Sequence, residues 1–202
     1  MRRLLLFVTF FSTLLTATFA QDDQKFHVGI HGGMNLAAIT QNSSDYRVGF
    51  NAGVIANYQF SKKYFVSSGL AVTQKGCKYD DPTVEAKANP LYLQLPIYIG
   101  ACGYTVKRNV RVSLEVGPYL AYGIGGKLKT TSLVANSEHF GVERDIDFFD
   151  VAERFETGVG FRLGFQYERI QFLLGYEYGI TTLSKEGNGN NSSFNAGFAF
   201  YL

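Results

Sequence analysis

Residues 47–60 read RVGFNAGVIANYQF and carry the pattern that decides the fold. Every even position in this stretch is apolar or aromatic, whereas the odd positions are polar or glycine, with the single exception of Ile55. An alternation with a period of two residues places the two sets of side chains on opposite faces of a β-strand. The segment therefore predicts a strand with one apolar and one polar face.

The same alternation recurs along the chain in eight segments. They span about 25–35, 47–60, 64–77, 90–105, 110–124, 154–167, 170–180 and 193–202. Short connections at 61–63, 106–109 and 168–169 alternate with long ones at 36–46, 78–89, 125–153 and 181–192. Short turns at one end and long loops at the other are typical of outer-membrane barrels. The sequence predicts an all-β fold, an eight-stranded antiparallel up-and-down transmembrane β-barrel.

The composition of the two faces decides which of them meets lipid. One face carries large aliphatic and aromatic side chains, and the other carries many glycines with a few charges of both signs. Eight strands enclose an interior that is only wide enough for side chains, and buried charges need partners. We therefore expect the aromatic face in lipid and a structural polar network in the lumen. Its expected members are Arg47, Glu115, Glu156, Arg162 and Glu177, with Lys75 nearby.

Aromatic residues also gather near the ends of the segments, where interface girdles are expected. They are Tyr58, Phe60, Tyr64, Phe65, Tyr122, Tyr167, Phe172 and Tyr201. Two prolines fit a closed barrel less well, because Pro96 and Pro118 each predict a bulge or a lost ladder hydrogen bond. Ser68 falls on the outer face of the third segment, which leaves the register of that strand open.

The N-terminus has the layout of a secretory signal peptide. Arg2 and Arg3 precede an apolar stretch at 4–15, and Thr18-Phe19-Ala20 supplies small residues where a signal peptidase reads. We expect a signal peptide over 1–20 that is cleaved near Ala20 after export by the general secretion route. We expect residues 21–202 to form a barrel domain in the bacterial outer membrane. Of the 19 basic residues the signal peptide holds two, which leaves 17 against 17 acidic residues. That balance gives no case for a nucleic-acid partner.

The residues most often used for chemistry give weak signals here. Cys77 and Cys102 are the only cysteines, and about ten residues of strand would separate them by roughly 30 Å, so two unpaired thiols are expected. His27 and His31 share the inner face of the first strand. Glu177 or Glu115 could complete a metal site with them, but polar filling of the lumen is the favoured interpretation. We expect no metal and no cofactor.

The connection at 125–153 contains a cluster of acidic residues with one histidine. Its members are Glu138, His139, Glu143, Asp145, Asp147, Asp150 and Glu153. Their spacing matches no EF-hand, and the chain contains no G-x-S-x-G motif or nucleotide-binding loop. A solvated extracellular loop is expected. Two alternatives stay open: an outer-membrane enzyme that uses residues 138–153, and a secreted soluble barrel that binds an apolar ligand in its interior.

Several stretches resemble the PorT-like family of outer-membrane β-barrel proteins. Residues 28–35 follow a G-x-x-G-G-x-N pattern, and residues 92–96 follow Y-L-x-[IL]-P, which makes Pro96 a family trait. Phe149-Asp150 before the glycine-rich stretch at 158–161 is similar to a further motif, as is the stretch at 175–181; Ala152 departs from the pattern, which often has glycine there. The resemblance implies a fold and a membrane location but no reaction, and a few members of the family serve in protein secretion.

The expected function is that of an integral outer-membrane barrel without catalytic activity. Its role would be structural, in surface interaction, or as an accessory to secretion. The expected partners are outer-membrane lipid, the barrel-assembly machinery during insertion, and envelope or secretion proteins, with no nucleic acid.

Overall fold

The computed structural model describes residues 25–39, 44–80, 84–105, 110–132, 143–182 and 189–202. These residues form strands β1 Phe26–Ile39, β2 Ser44–Gln59, β3 Tyr64–Gln74, β4 Cys77–Asp80, β5 Val84–Ala88, β6 Leu91–Thr105, β7 Val110–Gly125, β8 Lys127–Ser132, β9 Glu143–Asp147, β10 Phe155–Tyr167, β11 Ile170–Gly179 and β12 Asn191–Tyr201, with a short helix α1 Phe148–Val151. No helix in the described part of the chain is long and apolar enough to cross a membrane.

Eight of these strands close into an antiparallel barrel. The order is β1–β2–β3–β6–β7–β10–β11–β12, and β12 pairs back onto β1 from Gly29–Tyr201 to Ile39–Asn191. The predicted fold class, strand number and strand direction are confirmed. Each barrel strand begins and ends within a few residues of its predicted segment, because the period-two alternation stops where a face no longer meets lipid.

The two faces of the barrel lie as the alternation predicts. In β7, Glu115 is 1% exposed, and the next residue, Val116, is 57% exposed on the outer face. Phe65 and Tyr201 are exceptions to the predicted aromatic girdles, since they are 2% and 4% exposed and point into the lumen. They occupy odd positions, in the same pleat as Ser67 and Ala199, so the periodicity rather than the residue type decides their direction.

Pro96 interrupts the pairing of β6 with its neighbours. The β3–β6 ladder passes from Ser68–Ile97 to Ala71–Gln94, with no pairs in between. The Ser68 hydroxyl lies on the outer face and donates to the Pro96 carbonyl at 2.9 Å. The interrupted ladder leaves the Pro96 carbonyl without its usual backbone donor, and the Ser68 hydroxyl supplies one instead. This hydrogen bond explains why a polar side chain is tolerated on the face that meets lipid. The register of β3 is the one in which Ser68 faces outward.

Four strands continue the barrel beyond its loop end. Strands β4, β5, β8 and β9 extend residues 44–46 of β2 into a sheet of order β2–β4–β5–β8–β9, here called the extramembrane sheet. The expectation of plain loops over 78–89 and 125–153 is therefore wrong in part. In the backbone register of β8 and β9, Lys127 lies opposite Asp147 and Lys129 lies opposite Asp145. Both faces of these strands carry polar residues, so the alternation gave no signal there.

Helix α1 returns the chain from the extramembrane sheet to the barrel. Asp147 is its N-cap, and Oδ1 of Asp147 accepts a hydrogen bond from the backbone N–H of Phe149 at 2.9 Å. The backbone N–H of Phe148 donates to the Gly126 carbonyl at 3.0 Å. These contacts place both phenylalanines in the mouth of the barrel.

Candidate functional site

Aromatic and small side chains fill the loop end of the lumen. This mouth cluster consists of Ala88, Tyr92, Tyr119, Ala121, Phe148, Phe149 and Ala152, all at most 6% exposed. The rings of Tyr92 and Phe149 meet edge to face at 5.6 Å between centroids, as do those of Phe148 and Phe149 at 5.3 Å. These side chains therefore pack closely against one another at the loop end of the lumen.

A buried ion pair lies in contact with the mouth cluster. The Lys75 ammonium donates to Oε1 of Glu156 at 2.7 Å, and the two side chains are 1% and 0% exposed. The Tyr119 hydroxyl also donates to Oε1 of Glu156 at 2.6 Å, and the Asn191 amide donates to Oε2 at 2.5 Å. The Tyr119 ring lies 4.5 Å from the Lys75 nitrogen. With three donors on its carboxylate, Glu156 is a compensated buried charge rather than a free base.

Glu177 extends this group along the lumen. Its Oε1 accepts hydrogen bonds from the Gln94 amide at 2.8 Å and from the Tyr98 hydroxyl at 3.3 Å. Its Oε2 lies 3.9 Å from the Lys75 nitrogen. One lysine therefore faces two glutamates, and among the described residues Oε2 of Glu177 is buried without a hydrogen-bond partner.

A second ion pair joins β7 and β10. Arg162 Nε donates to Oε2 of Glu115 at 3.0 Å, and Nη2 of Arg162 contacts the same oxygen. Nη2 also donates to the Ser67 hydroxyl at 2.8 Å, and the guanidinium lies 5.0 Å from the centre of the Tyr98 ring. The Arg162 fork thus connects three strands of the barrel wall.

Arg47 lies apart from the other residues expected in the lumen network. Its Nη1 donates to the Ala88 carbonyl at 3.4 Å, next to the extramembrane sheet. The structure brings Glu156 and Glu177 together around Lys75, pairs Glu115 with Arg162, and leaves Arg47 outside both groups. The sequence analysis did not include Tyr98 and Tyr119 in the lumen network, although their hydroxyls donate to Glu177 and Glu156. Both tyrosines occupy inward positions of the alternation, between apolar neighbours that face outward.

A chain of neutral hydrogen bonds continues toward the short-turn end. The Tyr201 hydroxyl donates to Oε1 of Gln171 at 2.6 Å and accepts from the Asn57 amide at 2.8 Å. The Gln171 amide donates to the Ser113 hydroxyl at 3.1 Å. Polar side chains thus bond to one another across the lumen at this level.

The inward glycines make room for the lumen aromatics. A Cβ added at Gly158 would lie 2.6 Å from carbon atoms of the Tyr119 ring, far inside normal contact distance. The same relation holds for three further pairs. These are Gly100 with Phe65, Gly123 with Phe149, and Gly160 with Tyr98. The glycine-rich face is therefore the complement of the large rings that fill the interior.

A cavity of about 70 Å³ lies in the middle of the lumen. Its polar lining includes His31, Asn51, Gln94, Arg162 and Glu177. Ligand pockets usually measure about 300–1,000 Å³. The cavity has room for water molecules but not for an apolar ligand, which argues against a soluble barrel that binds one inside.

The other candidate residues do not come together as a reactive site. No group of three or more His, Cys, Asp or Glu side chains within the described ranges could hold a metal ion. Glu138 and His139 lie outside those ranges, and Asp147 serves as the cap of α1. Cys102 is a buried free thiol near the short-turn end, whereas Cys77 starts β4 at the loop end. The two cysteines thus belong to opposite ends of the strands, and the expectation that both thiols are unpaired stays a prediction for Cys77.

The chain is similar to several solved structures of outer-membrane proteins. The Ail protein of Yersinia pestis is 15% identical with a TM-score of 0.46, over 89% of this chain and 100% of that one. Neisserial surface protein A is 16% identical with a TM-score of 0.45, over 87% and 96% of the two chains. OprG from Pseudomonas aeruginosa is 12% identical with a TM-score of 0.49, over 88% and 96%.

Comparison with curated protein sequences gives no match. A family model described as "Outer membrane protein beta-barrel domain" matches residues 19–185, most of the chain. This range includes nearly all strands of the barrel and the whole of the extramembrane sheet. The chain belongs to the outer membrane protein beta-barrel domain family.

Proposed function

We propose that this protein is a non-catalytic outer-membrane barrel that holds the extramembrane sheet at the cell surface, where the sheet contacts another surface or molecule. The observation that carries the proposal is the contrast between a lumen that side chains fill except for one cavity of about 70 Å³ and a sheet that continues beyond the barrel. A filled lumen conducts no solute, so the part of the molecule available for interaction is the part outside the membrane.

The filling of the lumen supports a structural role for its charges. Glu115, Glu156 and Glu177 each have a cationic or amide donor within reach, and their partners come from different strands. Removal of one partner from either ion pair would leave the other charge buried without compensation. We infer that these residues, with Arg162, stabilise the barrel wall and take part in no reaction, and that Arg47 supports the base of the extramembrane sheet.

The extramembrane sheet is fastened to the barrel at several points. The Asn89 N–H donates to the Lys127 carbonyl at 3.0 Å, and Lys75 N–H donates to the Pro90 carbonyl at 3.0 Å. Leu128 of β8 packs against the mouth cluster. Fastening of this kind presents the sheet in a fixed orientation, which lowers the entropy cost of binding compared with a flexible loop.

The narrower expectations stay predictions within this proposal. The signal peptide at 1–20 lies outside the described residues, and the PorT-like assignment rests on the motifs alone. An accessory role in secretion is a special case of surface contact, with a secretion protein as the partner. The barrel-assembly machinery is the expected partner during insertion. An enzyme using residues 138–153 is the competing proposal.

The experiment compares cells that carry two variants with cells that carry the wild-type protein. In the sheet variant, residues 79–86 and 129–145 are each replaced by a short glycine turn; in the lumen variant, Lys75→Met disrupts the upper ion pair. Adhesion to surfaces and to other cells is measured together with permeability to a hydrophilic antibiotic. We expect the sheet variant to lose adhesion while its permeability is unchanged.

The matched controls separate contact from transport and from catalysis. Unboiled gel mobility shows whether each barrel is folded. Osmotic swelling of liposomes that contain the wild-type protein should match swelling of empty liposomes. Normal adhesion in the sheet variant, or sugar-dependent swelling with the wild type, would overturn the proposal. For the enzyme alternative, loss of a measured activity in Asp145→Asn with adhesion intact would decide in its favour.

A further inference from the structure

Basic residues concentrate at the short-turn end of the barrel. The three short turns at 61–63, 106–109 and 168–169 contain Lys62, Lys63, Lys107, Arg108 and Arg169, with Glu168 as the one acidic residue. Lys25, at the start of β1, lies at the same end, whereas Asp22 and Asp23 precede it outside the described residues. Of the acidic cluster, the described residues Glu143, Asp145, Asp147, Asp150 and Glu153 lie at the opposite, loop end. The short-turn end therefore carries an excess of basic residues.

Four described basic residues at this end have fixed backbones and exposed side chains. They are Lys25, Lys62, Lys63 and Arg169, here called the turn rim. The carbonyls of Lys25 and Lys63 accept backbone hydrogen bonds from Gln59 and Cys102, each at 2.7 Å. The carbonyl of Arg169 accepts one from Tyr201 at 2.8 Å. The turn rim is thus a set of cations held at fixed points around the end of the barrel.

Two lipid-facing aromatic rings fix the depth of the turn rim in the membrane. Phe60 and Tyr64 flank the turn at 61–63, are 54% and 50% exposed, and stack with centroids 6.4 Å apart and planes 13° apart. Aromatic rings of this kind lie at the level of lipid headgroups. Lys62 and Lys63 lie in the turn between these two rings, on the side away from the bilayer centre. Their flexible side chains can reach the headgroup phosphates.

We propose that the turn rim binds the phosphate groups of anionic phospholipids in the leaflet that the short turns face. In outer-membrane barrels this is the periplasmic leaflet. The positive charge of the turn rim is complementary to the negative phosphates, and the turn rim lies at their depth in the membrane. The rings of Phe60 and Tyr64 are placed to pack against the acyl chains of the same lipid. A protein partner would need none of the aromatic anchors, so the placement favours a lipid.

The test is native mass spectrometry of the mature protein from micelles with equal amounts of phosphatidylglycerol and phosphatidylcholine. The rim variant carries Lys62→Gln, Lys63→Gln and Arg169→Gln. The matched control carries Lys87→Gln, Lys127→Gln and Lys129→Gln, three exposed cations of the extramembrane sheet. We expect the wild type to retain phosphatidylglycerol preferentially. The rim variant should lose that preference by at least about fivefold, the usual effect of one such charge beside an anionic surface.

Each outcome bears on the proposal, provided that unboiled gel mobility shows folded barrels. Preference that persists in the control and falls in the rim variant supports it. Equal retention of the two lipids by the wild type overturns the proposal, because the protein then has no preference for an anionic headgroup. An equal loss of preference in the control also overturns it, because net charge alone would then explain the binding. Full displacement by inorganic phosphate overturns the lipid headgroup as the ligand. If the triple variant does not fold, Lys62→Gln with Lys129→Gln as its control gives the same comparison.

Discussion

Glu115 and Val116 are neighbours in the sequence and lie at one depth in the membrane, yet they obey different rules. Glu115 is 1% exposed and is bonded to Arg162, whereas Val116 is 57% exposed among other apolar side chains. The inner position depends on one particular partner from another strand. The outer position requires only an apolar side chain, because lipid has no fixed groups to match. On the inner face, the identity of each residue therefore depends on its partner in another strand. On the outer face, it is enough that the residue is apolar.

The largest effect is expected where a pair is broken. Arg162→Met leaves the Glu115 carboxylate buried without its cation and should lower the free energy of unfolding by about 3–5 kcal/mol. Urea unfolding of the barrel in lipid vesicles measures this change. The double variant with Glu115→Gln should recover part of the loss, since no charge then remains unpaired. Purely additive losses would mean that the two residues do not act as a pair.

The outer face should distinguish charge from shape at the same depth. Val116→Arg places a charge in lipid and should cost about 2–4 kcal/mol near the middle of the bilayer. Val116→Leu should change stability by no more than about 0.5 kcal/mol. Both are measured by the same urea unfolding. If the arginine variant is as stable as wild type, this face does not meet lipid.

Most of the barrel could be predicted from the sequence, for a physical reason. Alternation reports the environment of each residue separately, so strand number, direction and facing followed from local patterns, as in residues 47–60. The partners did not follow. Glu156 meets Lys75, 81 positions away in sequence, and alternation carries no information on such a distance. The extramembrane sheet was also missed, since both faces of its strands carry polar residues and no alternation results.

A smaller effect is expected from adding one methyl group to a glycine of either face. Gly100→Ala places a Cβ 2.3 Å from the nearest carbon of the Phe65 ring and should cost about 1–3 kcal/mol through overpacking. Gly32→Ala is the matched control, because the nearest atom to its added Cβ is 3.8 Å away on the outer side. Heat-dependent gel mobility ranks the two variants. Equal melting temperatures for the two would show that the lumen is not tightly packed.

The facing of the strands can be tested directly because the chain contains no tryptophan. Phe161→Trp places a single fluorophore on the outer face, and Tyr98→Trp places one in the lumen at nearly the same depth, since Phe161 and Ile99 both pair with Val116. Each variant is folded into vesicles of brominated phospholipid, and the quenching of fluorescence is measured. The account predicts strong quenching at 161 and weak quenching at 98. Strong quenching at 98 with weak quenching at 161 would contradict it, because the apolar face would then line the interior.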